Sequence, residues 1–515
     1  MPDLTERLHR AAAVGMTASV WATEKPGATA IHDPHGTRSF FDVNANANRI
    51  VRLLRAYGLK AGDSVALMCS NRAEFVEVLN ATLRGGYRFT PVNWHLTAEE
   101  VEYIINDCEA QALFAEPRYP AALTASAPAV RLKVAIGAAA TGFLPYAGTL
   151  GQFDGADIDE PALGGSMLYT SGTTGRPKGV YRRTNAVLVL PTPGEPDDVQ
   201  LCAGPAYHAA PLAFDVRSAM NQGNPLVFLD RWNSEGVLAA IDRHSVTRAH
   251  MVPIMFQRLL ALPEAVKAKY DISSLRYLIH GAAPCPPEVK KAMIDWVGPI
   301  LHEYYAGSEG GVGFLIDSHE WLAKPGTVGR LPAPDAVKLL DENGEEIHER
   351  DRPGTIYFKV SAISPFEYFK DPAKTASAHR DGYFTLGDVG YLDRDDYLFL
   401  TGRTAECIIS GGVNIYPQEI DNEIIKHPAV EDSCAIGVPS EEWGEEVKVV
   451  VTLHPWQAPS DALAAEILAF ARERLAGYKT PRTLEFVDEL PRNPAGKIQR
   501  GKVRAPYWAG RSRQI

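Results

Sequence analysis

The sequence predicts an α/β protein in two parts, and three observations carry that prediction. Helical and strand-like apolar patterns alternate through 40–115 and again through 225–330, as in a parallel sheet covered by helices. Near residue 355 the texture changes to short strands separated by Gly and Asp turns. Beyond Gly402-Arg403 the chain reads as a separate small α+β unit.

The elements follow in order. Residues 41–57 place Val43, Ile50, Leu53 and Leu54 at helical spacing and close at Gly58. The run 64–68 is a short apolar strand, and 73–83 is helical again. In the second alternating region 226–229, 237–241, 249–252 and 254–262 repeat the pattern. Residues 355–360, 391–393 and 397–400 read as short strands. Pro417 opens a helix on which Ile420 and Ile424 share a face. The run 447–453 is a strand, and 461–475 is a helix with Gly477 beyond its end. There are no repeats and no low-complexity segment.

A length of 515 residues at about 150 per domain suggests three or four folding units. Apolar content of 45% is enough to offset ordering entropy, which argues against disorder. With 52 basic and 63 acidic residues the net charge is −11. That balance argues against nucleic acid as the main partner, yet leaves room for small anions, which respond to the local field. No run approaches the 18 or so apolar residues of a spanning helix, so no integral membrane segment is expected. The N-terminus carries acids where a signal peptide needs a basic region. Six scattered cysteines without a CxxC pair read as reduced thiols in a cytoplasm.

The stretch Thr170-Ser171-Gly172-Thr173-Thr174-Gly175-Arg176-Pro177-Lys178-Gly179 carries the most chemistry. Its glycines let backbone amides turn toward a phosphate, its hydroxyls add donors, and Lys178 supplies charge. It is not a Walker A loop, because the required spacing fails and Gly follows the lysine.

This loop resembles the signature of the adenylate-forming superfamily, which includes acyl-CoA synthetases, luciferases and nonribosomal adenylation domains. Six further segments match in the family's order. They are 205–208 with His208, 281–284 (Gly281-Ala282-Ala283-Pro284), and 303–309 with Tyr304, Tyr305, Ala306, Ser308 and Glu309. Gly387-Asp388 with Gly402-Arg403, 410–417 with Gly411 and Gly412, and 491–498 with Lys497 complete the set. The resemblance covers nearly the whole chain.

The resemblance implies a large N-terminal domain of layered sheets and helices with a β-rich subdomain, 1–402. A hinge at 403–405 and a small mobile α+β C-terminal domain at 406–515 follow. It implies ATP-dependent activation of a carboxylic acid to acyl-AMP, then transfer to coenzyme A. Lys497 would bridge carboxylate and phosphate, His208 would sit beside the reacting carboxylate, and Glu309 would hold Mg²⁺. Residues 170–178 would cradle pyrophosphate, Asp388 and Arg403 the ribose, and Tyr305, Gly281 and Ala282 the adenine. Ala209, Met255, Ala283 and Tyr304 would border the acyl group. Gly411, Gly412 and Trp443 would flank a coenzyme A channel. The pocket segments are apolar, which favours an apolar acid. The alternative is a ligase that hands its acyl-AMP to a carrier protein. Monomer and homodimer both remain open.

Some features depart from the pattern. Ala306 replaces a usual glycine, and with Tyr304 it narrows or redirects the pocket. Ala405 stands at the usual hinge residue, and Ser308 keeps the hydroxyl of a usual Thr. Ala209 occupies the place where amino-acid-activating domains carry an acid. Arg182 and Arg183 are weighed as contacts for a coenzyme A phosphate and left out of the site. Residues 163–166 resemble a carrier-protein attachment site, but they read as the approach to the phosphate loop.

Overall fold

The computed structural model describes residues 3–170, 177–182, 195–361, 365–411, 413–493 and 496–509. Two parallel sheets form the base. One contains six strands in the order Leu144–Pro145, Leu132–Ala135, Ala110–Ala115, Ser64–Met68, Arg88–Pro91 and Gly165–Ser166. The other contains eight: Gly310–Asp317, Leu301–Gly307, Tyr277–His280, Arg248–Met251, Gln200–Cys202, Leu226–Phe228, Thr29–Asp33 and Gly36–Ser39. Its six inner strands run parallel and its two edges antiparallel.

Strand Ser64–Met68 is buried at every position, as a strand covered on both faces must be. Helix Phe40–Ala56 begins with a Ser39/Asp42 capping box and buries Val43, Ile50, Leu53 and Leu54 against it. Gly165–Ser166 is the sheet's edge strand, a structural role for the segment resembling a carrier site.

An antiparallel sheet follows, built from Thr327–Arg330, Tyr397–Arg403, Tyr383–Leu392, Gly354–Lys359 and Val337–Leu340, with His379–Arg380 beside Tyr383–Leu392. The strand Tyr383–Leu392 is longer than 391–393 alone. Gly387 has φ +78° and sits where the ladder to Gly354–Lys359 shifts register, and Asp388 pairs on one side only, with Arg403, so the strand runs through a bulge of poor strand formers.

After Arg403 a short 3₁₀ turn, Thr404–Glu406, leads into a different sheet. That sheet runs Val413–Ile415, Ile408–Ser410, Gly444–Leu453 and Val430–Ser440, with Thr483–Phe486 beside Gly444–Leu453. Helix Pro417–Ile424 lays Ile420 and Ile424, both fully buried, onto it. Helix Asp461–Arg474 ends at an extended Leu475 instead of a left-handed glycine, so Gly477 caps nothing.

A three-stranded antiparallel sheet completes the fold: Phe366–Tyr368, Lys178–Arg182 and Leu168–Thr170. Thr170 and Lys178 face each other in register, so the phosphate-loop segment connects two paired strands.

Candidate active site

The site forms where strands of the eight-stranded sheet end, at the edge that open parallel sheets offer to ligands. Strand Leu301–Gly307 is central to it. Side chains on a strand alternate between faces, so Tyr304 and Tyr305 point to opposite sides.

On one side the Tyr305 hydroxyl donates to Asp388 Oδ2 at 2.8 Å, and Arg403 Nε reaches Asp388 Oδ1 at 2.8 Å. Asp388 and Arg403 pair in register across neighbouring strands. Each carboxylate oxygen keeps a second lone pair for an incoming hydroxyl. Burial, then the negative charge of Asp388, holds the Tyr305 hydroxyl protonated. Lys497 lies within electrostatic reach of Asp388, Arg403 and Glu406. Burial pushes its pKa from 10.5 down to about 8, and Arg403 pushes the same way.

The loop carrying Lys497 is docked on the large domain through Gly496, which has φ +82°. A Cβ there would meet Ile254 Cγ2 at 2.5 Å and Val252 Cγ2 at 3.4 Å, so only glycine permits both this backbone and this contact. Asn414 of the small domain also donates to Glu342 of the large one.

Glu309 accepts at 2.9 Å from the Tyr368 hydroxyl and forms no ion pair among the described residues. Lys374, on helix Pro372–Ala378, lies over the Tyr368 ring at 4.5 Å. Both Lys178 and Glu309 lie near enough to act on its ammonium. Burial, then contact with Lys178, lowers the Lys374 pKa to about 8. Arg182 donates to the Ser308 carbonyl at 3.3 Å and feels the charge of Glu309. Lys374 and Arg182 thus act on one carboxylate with Lys178 beside Lys374, an arrangement suited to a polyphosphate and its metal ion. Mg²⁺ takes hard oxygens and is commonly held by one or two carboxylates plus substrate phosphates. Glu309, with one neutral donor on it, fits that role. Among the described residues no group of three or more His, Cys, Asp or Glu could hold a metal ion.

On the opposite side of the strand the Tyr304 hydroxyl lies 3.2 Å from His250 Nε2, and its ring centroid is 4.6 Å from Phe214. Gly281 is the only residue type that fits beneath: a Cβ would come within 2.6 Å of Tyr304 Cε1. Ala282 follows at φ +66°, a strained state for a residue with a Cβ, and ends exposed.

His208 is half-buried, and its Nε2 has no hydrogen-bond partner among the described residues. Burial, aided by His95, lowers its pKa to about 4, so it is a neutral imidazole at pH 7. Asn71 fixes its loop from the six-stranded side. The Asn71 amide donates to the carbonyls of Gly204 (2.8 Å) and Leu229 (3.0 Å) and accepts from Ala206 N–H at 2.9 Å. Met255 and Pro211 close on Gly204. Ala209 and Ala283 are half-buried, and Ala306 is exposed against Gly311. On the small domain the Trp443 ring lies against Gly411, with Arg482 over it at 5.5 Å. Ser171, Gly172, Thr173, Thr174, Gly175, Arg183 and Gly412 lie outside the described residues.

The structure therefore gathers Tyr305 with Asp388, Arg403 and Lys497, and brings Lys178 and Glu309 to the same neighbour, Lys374. It adds Tyr368, Lys374 and Asn71, which no motif marks. Arg182, left aside in the sequence, is turned toward Glu309. Phe214 and His250 join Tyr304.

Known proteins match over more than nine-tenths of the chain. The family model for AMP-binding enzymes matches residues 19–365, and that for the AMP-binding enzyme C-terminal domain matches 419–497. A feruloyl-CoA synthase of Amycolatopsis is 32% identical over 502 residues, 94% of this chain and 97% of its own length. The long-chain-fatty-acid–CoA ligase FadD13 of Mycobacterium tuberculosis is 31% identical over 483 residues, 92% of this chain and 93% of its own. The ATP-bound structure of MatB from Rhodopseudomonas palustris superimposes with a TM-score of 0.80 at 28% identity, covering 95% of this chain and 99% of that one. With two family models in tandem and relatives aligned from end to end, the chain belongs to the AMP-binding enzymes of the adenylate-forming superfamily.

Proposed function

We propose that this chain is an AMP-forming acid–thiol ligase that converts an apolar carboxylic acid to its coenzyme A thioester through acyl-AMP. The observation that carries the reading is the docked Lys497. Its loop rests on Val252 and Ile254 while its ammonium lies near Asp388, so it stands between the nucleotide side and the acyl side.

A carboxylate oxygen attacks the α-phosphorus of ATP, the bond to the β-phosphate bridge breaks, and pyrophosphate leaves. Both reactants are anions, so the barrier falls mainly through positioning and charge neutralisation. Lys497 bridges carboxylate and α-phosphate. Asp388 and Arg403 hold the ribose, and Tyr305, Gly281 and Ala282 border the adenine. Thr170, the loop after it and Lys178 cradle pyrophosphate. Lys374 and Arg182 add charge there. Mg²⁺, when bound at Glu309, supplies charge neutralisation for the polyphosphate. Neutral His208 offers a ring nitrogen to the carboxylate without competing for its charge. The thiol of coenzyme A, losing its proton, then attacks the acyl carbon and AMP departs. Gly411, Gly412 and Trp443 flank that approach.

We place the hinge at 403–405, between two sheets, with the adenylating domain before it and the mobile domain after. No described helix is long and apolar enough to cross a membrane. Six free thiols fit a cytoplasmic setting, where ATP and coenzyme A are available.

Pyrophosphate release from ATP is the test. The reading requires release to depend on an added carboxylic acid, and coenzyme A to yield a thioester. Acid-independent release overturns it. Acid-dependent release with no thioester would instead favour transfer to a carrier protein.

A further inference from the structure

Tyr304 is held from four directions. His250 Nε2 is 3.2 Å from its hydroxyl, Phe214 touches its ring, Gly281 lies beneath it, and its own strand fixes its backbone. Phe214 stacks on His250 with 5.7 Å between centroids and 12° between planes. Phe214 belongs to the wide turn Pro211–Arg217, which starts three residues after His208. Behind the rings, fully buried Asp215 accepts from His250 N–H at 3.1 Å and from Gln200 at 2.8 Å, tying that turn to the sheet.

Burial also keeps the His250 ring neutral, with a pKa near 3, and keeps the Tyr304 hydroxyl protonated. The three rings are therefore an uncharged wall, pinned by hydrogen bonds in a low-dielectric setting where breaking one is costly. Such a wall does not swing aside for an alkyl tail at small cost. Its edges and faces do suit another aromatic ring, which pairs with aromatic side chains by offset or edge-to-face contact.

Resting on the ligase reading above, we propose that Tyr304, Phe214 and His250 end the acyl site and select a compact aromatic carboxylic acid over a long-chain fatty acid. The carboxylate meets Lys497 and His208, and the ring of the acid meets Tyr304 and Phe214, backed by the buried His250, on the face of the strand opposite Asp388. Tyr304 is then a specificity-determining residue that takes no part in nucleotide binding.

The full-length protein, ATP, Mg²⁺ and coenzyme A are assayed with benzoate, phenylacetate and cinnamate against octanoate, dodecanoate and palmitate. Thioester formation should favour the best aromatic acid over dodecanoate by about 100-fold in kcat/KM, since a tail that does not fit meets a packed wall. Tyr304→Ala and Phe214→Ala should each raise kcat/KM for dodecanoate by about tenfold, with the KM for ATP changed less than about threefold. Tyr304→Phe keeps the ring and should keep the aromatic preference. Wild-type use of dodecanoate or palmitate at a rate similar to the best aromatic acid overturns the proposal and leaves the ligase reading intact. An unchanged ratio in Phe214→Ala, or in a folded Tyr304→Ala, overturns it as well. Failure of every acid to release pyrophosphate overturns the ligase reading and this proposal with it.

Discussion

The Tyr368 hydroxyl on Glu309 is a single hydrogen bond to a carboxylate, of the charge-assisted kind that contributes about 1.5–3 kcal/mol. Tyr368→Phe is expected to lower kcat/KM for ATP by about 10- to 100-fold in the pyrophosphate assay. It should leave thioester formation from preformed acyl-AMP nearly unchanged, and equal loss in both assays would contradict this placement. Tyr368 was not legible in the sequence, where it reads as one more aromatic residue in a strand. Lys374 likewise resembles any solvated helix lysine until the fold brings it to Lys178. His250 looks like a core histidine, and only its distance to Tyr304 separates it from one. Residues grouped in a contiguous motif, such as 303–309, could be read directly. Their partners could not, because strands distant in sequence supply them.

Element by element, the strand Ser64–Met68 and the helix after it were readable because an apolar run and a clear periodicity lie between turn residues. Tyr383–Leu392 was not, since the pairing of its two ends carries the strand through an irregular stretch at Gly387 and Asp388, where Gly387 turns to φ +78°. The Pro211–Arg217 turn has a π-type winding with no sequence signal. A buried ion pair anchors the central strand: Lys290 of helix Pro287–Val297 donates to Glu303 at 2.6 Å, and its ammonium lies over Trp321. Lys290→Met would leave Glu303 charged or protonated without its partner, one residue from Tyr304. A loss of about 3–5 kcal/mol in urea unfolding is expected, much of it recovered in Lys290→Met/Glu303→Gln. A loss below about 1 kcal/mol in the single variant would show that the pair is dispensable.

Across the whole molecule, the placement of Lys497 sets a pH dependence. In the proposed mechanism its charged form neutralises the reacting anions, and its pKa is lowered from 10.5 to about 8. Adenylation kcat/KM should therefore fall as pH rises through about 8, because kcat/KM reports the free enzyme. Bound ATP and carboxylate favour the ammonium, so the corresponding fall in kcat should lie at higher pH. A kcat/KM profile flat to pH 9.5 in Lys497-containing enzyme would refute the assignment. Lys497→Ala should abolish adenylation while sparing thioester formation from synthetic acyl-AMP, since only the first half-reaction uses this docking. The contact that creates the docking also has a thermodynamic consequence. Gly496 rests on Val252 and Ile254, which follow His250 of the ring cluster by two and four residues. By reciprocity, an acid that favours this arrangement tightens domain closure by the same factor that closure tightens the acid. On the proposed reading, a poorly matched acid would weaken this docking and leave its adenylate open to water, so fidelity and economy of ATP use would rise and fall together.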